Sequence, residues 1–294
     1  MDKCINTYFL FGNEIKSCSE FENYNRKSGK SLYEVIRISD GIPVFLMEHL
    51  QRLENSAKIM KYTLCISRDE IINAILSLID KNNVNEGNIK LVINYIPKDE
   101  NSENNHDLKE VFLAYLIPHS YPSKEQYLNG VKTITYHGER NNPNAKVIDN
   151  DFRDKVNTEI NSKDAYEAIL IDHSGIITEG SRSNIFMVSG NNVYTSMAEN
   201  VLPGITRQVI IKICKDLNME FQQRNIHQSE IKKLTALLIS GTSPMVLPIN
   251  AVDEFSFNSS KNSIINSIMK GFQAKVSNNK KDFVKYIETR TINK

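Results

Sequence analysis

A chain of 294 residues is too long for one simple core, so two domains or one large α/β domain is the expectation. Its 36 Lys plus Arg against 35 Asp plus Glu leave a formal charge of +1, which provides no field to draw nucleic acid or an anionic membrane. Scattered cysteines without a C-x-x-C pair, histidines without metal spacing and no apolar run of spanning length point to a reduced, cytoplasmic protein without metal.

In chain order, Tyr8 to Phe11, Gly12-Asn13 and Glu14-Ile15 predict a short hairpin, and 21–30 a polar loop. Tyr33 to Ile38 alternates sides, and Asp40-Gly41 turns it into Ile42 to Phe45, a second hairpin. Leu50, Leu53, Ala57 and Met60 fall at three- and four-residue steps and predict a helix over 47–60. Arg52 lies beside that stripe, placed to point inward from the helix edge. Ser67-Arg68-Asp69-Glu70 has capping-box form and opens a second helix, striped by Ile71, Ile72, Ile75, Leu78 and Ile79. Strands follow over 89–96 and 111–117, joined by a polar loop over 98–107. The stretch 118–129, with two prolines, reads as a linker that divides the chain into domains 1–120 and 121–294.

The second part opens with a strand over 131–136 and a helix over 152–163. Strands at 168–171, 184–188 and 193–195 are separated by turns at 172–175 and 190–192. A helix over 205–217 carries Val209, Ile210, Ile213 and Leu217 on one stripe. A short strand at 220–222, a short helix at 227–234 and a buried strand at 236–239 follow. Ile264, Ile265, Ile268, Met269 and Phe272 mark a C-terminal helix. Strands and helices mix without the rhythm of a doubly wound sheet, so the class is α+β.

Four short patterns carry the chemistry: E-R-N-N-P-N-A-K at 139–146, T-E-G-S-R-S-N-I-F at 178–186, L-P-G-I-T-R at 202–207 and S-G-T-S-P at 240–244. Lys146 offers an amine that, partly desolvated, forms a Schiff base with an aldehyde cofactor; alone it reads as a surface lysine. Glu179 offers a carboxylate for a ring N–H; alone it is a turn glutamate. Gly204, Ile205 and Thr206 open a helix, where free N–H groups and a hydroxyl suit an anion. Gly241, Thr242 and Ser243 form a second small-residue turn suited to a phosphate or a substrate carboxylate. Arg52 adds a fixed positive charge. An amine, a carboxylate and two phosphate turns in one order point to pyridoxal 5'-phosphate (PLP).

On these residues the chain resembles the class IV (fold type IV) PLP-dependent aminotransferases, which include branched-chain aminotransferases, D-amino acid aminotransferases and aminodeoxychorismate lyases. The likeness runs from Tyr33-Glu34-Val35-Ile36-Arg37 and Asp40-Gly41-Ile42-Pro43, through His49-Leu50-Gln51-Arg52-Leu53, to Pro248. It implies a small N-terminal α/β domain and a larger C-terminal pseudo-barrel domain with PLP between them, in a homodimer. It implies Lys146 as the Schiff-base lysine and proton shuttle, and Glu179 on the pyridine nitrogen. Arg52, Gly204, Ile205, Thr206, Gly241 and Thr242 go to cofactor binding, and Tyr33, Tyr95 and Ser243 to the substrate.

The chain also departs from its likeness. Ser28 to Leu32 replaces a G-D-G run. Asp151 stands five residues after the lysine, where branched-chain enzymes have Tyr. Tyr95 falls where D-amino acid enzymes have Arg, Lys90 where branched-chain enzymes have Arg, and Glu34 where lyases tend to have Thr. The expected activity is transfer of an amino group between an apolar, branched-chain-like amino acid and a 2-oxo acid. The alternatives are a lyase releasing pyruvate and 4-aminobenzoate from aminodeoxychorismate, and a non-catalytic PLP-binding relative.

Overall fold

The alternating strands of the first 120 residues need a partner for each face, and the computed structural model shows what each face meets. It describes residues 3–25, 30–97 and 108–292. The chain divides into two units: 1–120 with 145–148 and 278–294, and 121–144 with 149–277. The segments 28–29 and 98–107, read above as a motif departure and a loop, lie outside the described residues.

In the first unit the elements are β1 (Ile5–Phe11), β2 (Glu14–Ser17), α1 (Phe21–Tyr24), β3 (Lys30–Ser39), β4 (Ile42–Pro43), α2 (Leu46–Ile59), α3 (Arg68–Lys81), β5 (Glu86–Pro97) and β6 (Leu108–Ile117). The strands form one antiparallel sheet in the order β2-β1-β6-β5-β3-β4. Asp40 and Gly41, at φ 54° and 70°, are the two left-handed residues that the tight β3–β4 turn requires. Strand parity then sorts the side chains. Leu32, Ile36, Ile38, Ile89, Leu91 and Ile93 pack on the apolar stripes of α2 and α3. Burying each such side chain is worth about 1.5–3 kcal/mol. Tyr33, Val92, Leu113 and Tyr115 look the other way and pack with Phe9 and Phe21.

The capping box at Ser67 and Glu70 forms at the start of α3. Two local expectations change. Part of the polar loop over 21–30 is the short helix α1, because Phe21 anchors it with its ring centroid 4.6 Å from that of Tyr115. Cys4 and Cys18, read as scattered thiols of a reduced protein, are instead joined as a disulfide with Cα atoms 5.9 Å apart, so the cysteines do not support the reduced compartment expected from them. The β1–β2 hairpin explains this: one cysteine sits just before its first strand and the other just after its second.

The second unit holds α4 (Lys124–Asn129), β7 (Val131–His137), α5 (Asn150–Ser162), β8 (Glu167–Ile171), β9 (Ile177–Gly180), β10 (Asn184–Ser189), β11 (Asn192–Thr195), α6 (Ile205–Asp216), β12 (Glu220–Gln223), β13 (Ala236–Gly241), β14 (Met245–Val252), β15 (Phe255–Ser256) and the part of α7 (Ser263–Ile292) up to Ser277, its later residues belonging to the first unit. The sheet runs β12-β11-β10-β13-β14-β7-β8-β9, with β15 on β14. The pairs β11–β12, β14–β7 and β7–β8 are parallel and the others antiparallel. Ile169, Ile185, Met187, Leu237, Ile239 and Leu247 fill its core. The supposed linker contains α4, which Ser123 and Gln126 open with a capping box. Strand β14 carries Pro248 in its middle, which masks it as a strand. Its pairing with β7 starts at Ile249, past the residue that lacks an N–H.

Candidate active site

Lys146 belongs to the short run 145–148 laid along the edge of β3. Leu32 and Val147 form an antiparallel bridge there. The Tyr33 N–H donates to the Lys146 carbonyl at 3.1 Å and the Ile148 N–H to the Ser31 carbonyl at 3.3 Å. The Lys146 N–H donates to the Ser56 hydroxyl on α2 at 3.2 Å. This backbone clamp sets the side chain so that Nζ stands 4.5 Å from the centroid of the Tyr33 ring. Lys90 Nζ stands 5.0 Å from the same ring, and Lys90 is 2 % exposed. Two amines therefore share one aromatic neighbour. Asn88 and Asn94, also buried, occupy the same face of β5 as Lys90.

Tyr95 does not join them. It stands five positions after Lys90, an odd step along the strand, so it points to the opposite face of the sheet. There it sits in the core against α2 and α3, stacked on Tyr62 with centroids 4.2 Å apart. Its hydroxyl is buried with no hydrogen-bond partner among the described residues.

Arg52 does turn inward. It is 6 % exposed, and Nε and Nη2 donate to the two oxygens of Glu34 at 2.8 and 2.6 Å. His49, one helical turn before it on α2, puts Nδ1 2.7 Å from Glu34 Oε2. Glu34 is 0 % exposed. Burial pushes its carboxyl up, but the Arg52 charge and the hydrogen bonds from Arg52 and His49 outweigh burial and bring it down to about 2. Burial also lowers the His49 pKa, against the pull of Glu34.

Both shifts have the same consequence for acid stability. At low pH the unfolded chain binds protons that the folded site refuses. Glu34 stabilises the fold fully above its unfolded value, and this contribution is lost as pH falls from about 4.5 towards 2. His49 adds to the loss from about pH 6.5 downward. Melting temperatures of wild type and Glu34→Gln between pH 7 and pH 3 check this. The stability advantage of wild type is expected to shrink as pH drops below about 4.5, and a constant difference would count against the pair.

In the second unit, Glu179 ends β9 and is 3 % exposed. Its Oε2 accepts from the Leu202 N–H at 3.0 Å and from the Asn184 side-chain amide at 3.2 Å. Its Oε1 accepts from Arg140 Nη1 at 3.3 Å. Asn184 also donates to the Leu202 carbonyl at 3.0 Å, so one side chain ties β10 to the run that enters α6. A second buried carboxylate, Glu167, holds the turn between β9 and β10. It accepts from the Ala168 N–H, the Ser181 hydroxyl, the Arg182 N–H and the Ser183 hydroxyl.

Helix α6 begins at Ile205, and no side chain caps its start. Thr206 is buried in that first turn. Gly204 must be glycine for lack of room: a Cβ there would come within 2.0 Å of Asn184 Oδ1. Gly204→Ala is therefore expected to displace Asn184 and cost about 1–3 kcal/mol, read as a lower melting temperature of the cofactor-free protein. An unchanged melting temperature would show that Asn184 yields freely. Gly241, Thr242 and Ser243 lie at the β13–β14 hairpin, where Gly241 pairs with Met245 and the Pro244 carbonyl accepts from Tyr127. Asp151 is exposed in the first turn of α5.

The sequence motifs assign no role to His49, Arg140, Glu167 or Asn184, and Glu34 enters only as part of the shared run and as a departure from the lyases. One signal was available. His49 and Arg52 are three residues apart on a helix, so they share a side and can share a partner.

Comparison with known proteins places the chain in a family. The family model described as amino-transferase class IV matches residues 31–252. The chain is 28 % identical over 250 residues to the D-alanine aminotransferase of Bacillus licheniformis, covering 83 % of this chain and 88 % of the relative. It is 31 % identical over 229 residues to a probable branched-chain-amino-acid aminotransferase of Rickettsia typhi, covering 76 % and 78 %. The crystal structure of the Escherichia coli branched-chain amino acid aminotransferase superposes with a TM-score of 0.81 at 25 % identity, over 92 % of this chain and 95 % of that one.

Proposed function

Because the chain belongs to the amino-transferase class IV family, we propose that its own Lys146, Arg52, Glu179, Gly204, Ile205, Thr206, Gly241 and Thr242 serve the PLP of an aminotransferase. The residues present fit that cofactor. The observation that supports the reading most is the link between Glu179 and α6. A buried carboxylate accepts the N–H of Leu202, three residues before a helix whose start no side chain caps. A carboxylate joined to an anion-binding helix start suits a molecule with a protonated ring nitrogen and a phosphate.

When bound, PLP supplies an electrophilic aldehyde and a ring that takes up the electrons released at the substrate Cα. Lys146 offers its amine to the aldehyde carbon and carries a proton away from Cα. Glu179 accepts the ring N–H and keeps it in place. Arg52, the Thr206 hydroxyl and the N–H groups at Ile205 and Thr206 meet phosphate, with Thr242 and the Gly241 turn. Tyr33 and Ser243 border the substrate. Lys90 and Asn88 supply a cation and an amide for a substrate carboxylate, and the placement of Tyr95 in the core argues against a substrate role for it.

The amino donor in this reading is apolar and branched-chain-like, and the acceptor is a 2-oxo acid. The protein works as a cytoplasmic homodimer; among the described residues no helix is long and apolar enough to cross a membrane. Light scattering tests the dimer by mass. A half-reaction screen tests the activity. Single L- and D-amino acids are added to the PLP-loaded protein, and absorbance follows conversion of the cofactor to its amine form. Conversion by leucine, isoleucine or valine, reversed by a 2-oxo acid, supports the reading. Conversion by no proteinogenic amino acid would overturn it, and release of pyruvate without any need for a 2-oxo acid would favour the lyase.

A further inference from the structure

We propose that Glu34 is a positioning residue for phosphate recognition: its carboxylate fixes the plane and direction of the Arg52 guanidinium before the cofactor arrives. The inference rests on the reading that Arg52 meets the phosphate of PLP, and it adds a residue that touches neither cofactor nor substrate.

The geometry carries it in three steps. First, the contact is a two-pronged fork. Nε donates to one Glu34 oxygen and Nη2 to the other, at 2.8 and 2.6 Å. A guanidinium is planar, so two parallel bonds along one edge fix its tilt and aim as well as its position. Second, the fork is built into rigid elements. Glu34 lies inside β3, paired with Leu91 on β5, and Arg52 lies inside α2. Third, Glu34 is itself held. His49 approaches Oε2 at 2.7 Å, so two α2 side chains one turn apart converge on one carboxylate. Nothing in this cluster is more than 6 % exposed.

A competing effect runs the other way. Glu34 is negative, and its removal would leave Arg52 with more charge to spend on a phosphate. Position decides the outcome here. An arginine released from the fork regains the many rotamers of its long chain, and that freedom must be lost again on binding. Replacement by glutamine cannot preserve the fork. Its single oxygen accepts only part of what two oxygens accepted, and its NH₂ faces other donors, the Arg52 guanidinium or the His49 ring.

The test compares PLP with pyridoxal, which lacks the phosphate, as ligands of the cofactor-free protein. Dissociation constants of both are measured by fluorescence for wild type, Glu34→Gln, Glu34→Asp and Arg52→Met. The readout is the preference for PLP over pyridoxal. Glu34→Gln is expected to reduce that preference by about tenfold to a hundredfold, the worth of a charge-assisted hydrogen bond, while pyridoxal binds as before. Equal weakening of both ligands would mean that Glu34 only supports the fold, and would overturn the inference. Glu34→Asp keeps the charge but draws the carboxylate back by one methylene. It is expected to reduce the preference too, and it serves if the glutamine variant does not fold; a full preference in the aspartate variant would overturn the inference. Arg52→Met, which removes the charge, separates the two levels. If it leaves the preference intact, Arg52 does not meet the phosphate and the underlying reading fails. If it reduces the preference while both Glu34 variants retain it, only the positioning role fails.

Discussion

Lys146→Ala is expected to lower amino transfer by about 10⁴-fold or more while the protein keeps its fold, because the variant loses both the amine for the aldehyde carbon and the proton carrier. The two halves of that expectation have separate grounds. The fold survives because the run 145–148 is held by its backbone. The Lys146 carbonyl accepts from Tyr33, its N–H donates to Ser56, and Val147 bridges to Leu32. None of these contacts uses the lysine side chain, and alanine keeps them all. Activity fails because no other amine takes over. Lys90 shares the Tyr33 ring but hangs from the middle of β5, opposite Val35, with its backbone locked in a ladder on both sides. Lys146→Arg separates charge from chemistry. It keeps a cation near Tyr33 but cannot offer a neutral amine near neutral pH, so it should be as inactive as alanine. The measurements are single-turnover absorbance with a competent amino acid, borohydride reduction of the PLP-loaded protein followed by peptide mapping, and a thermal melt. Borohydride is expected to fix the cofactor to the peptide containing Lys146. An alanine variant with near wild-type turnover would move the amine to Lys90 and require the double variant.

How much of this was legible in advance depends on the range of the interaction. Periodicity and capping found α2 and α3, and alternation with Asp40-Gly41 found β3 and its turn, because those signals are local. Residue type in ordered motifs singled out Lys146, Glu179, Gly204 and Thr206. What the motifs could not show is which strand each residue leans on. Lys146 follows β7 along the chain yet pairs with β3, more than a hundred residues earlier. The fork from Arg52 to Glu34 and the contact from Arg140 to Glu179 join residues 18 and 39 positions apart. Neither leaves a local trace. Strand β14 hid behind Pro248, and α7 runs on through polar residues such as Asn278, Asn279 and Lys280, where no stripe marks its continuation. The face of Tyr95 is different: strand parity relative to Lys90 was readable from the sequence, and it separates the two.

Glu179→Gln is the second large effect. Among the described residues three carboxylates are buried: Glu34, Glu167 and Glu179. Glu34 is occupied by Arg52 and His49, and Glu167 by four donors from its own strand and turn. Glu179 differs in what its neighbours do. Its donors are Leu202 and Asn184, which lead to the start of α6, and Arg140, whose side chain is 20 % exposed. Of the three, it is the one tied to the start of α6, which no side chain caps. Glutamine keeps the volume and one acceptor oxygen, so it can still satisfy Leu202 and Asn184. Its NH₂ then faces the Arg140 guanidinium, donor against donor, which should cost about 1–3 kcal/mol of stability. The larger loss is electrostatic. If Glu179 serves the ring nitrogen as proposed, a neutral amide would no longer hold a proton there, and withdrawing one preorganised charge from a buried site is expected to lower the rate by roughly 10²–10³-fold. Glu179→Asp, which restores charge at the wrong reach, should recover part of the rate. The comparison of kcat with melting temperature across the two variants decides between roles. A purely structural Glu179 would lower kcat only as far as unfolding removes active protein. A site carboxylate lowers kcat at temperatures where both variants remain folded. Full activity in folded Glu179→Gln would leave the ring nitrogen without a carboxylate in this unit, because Glu167 has no oxygen to spare for it.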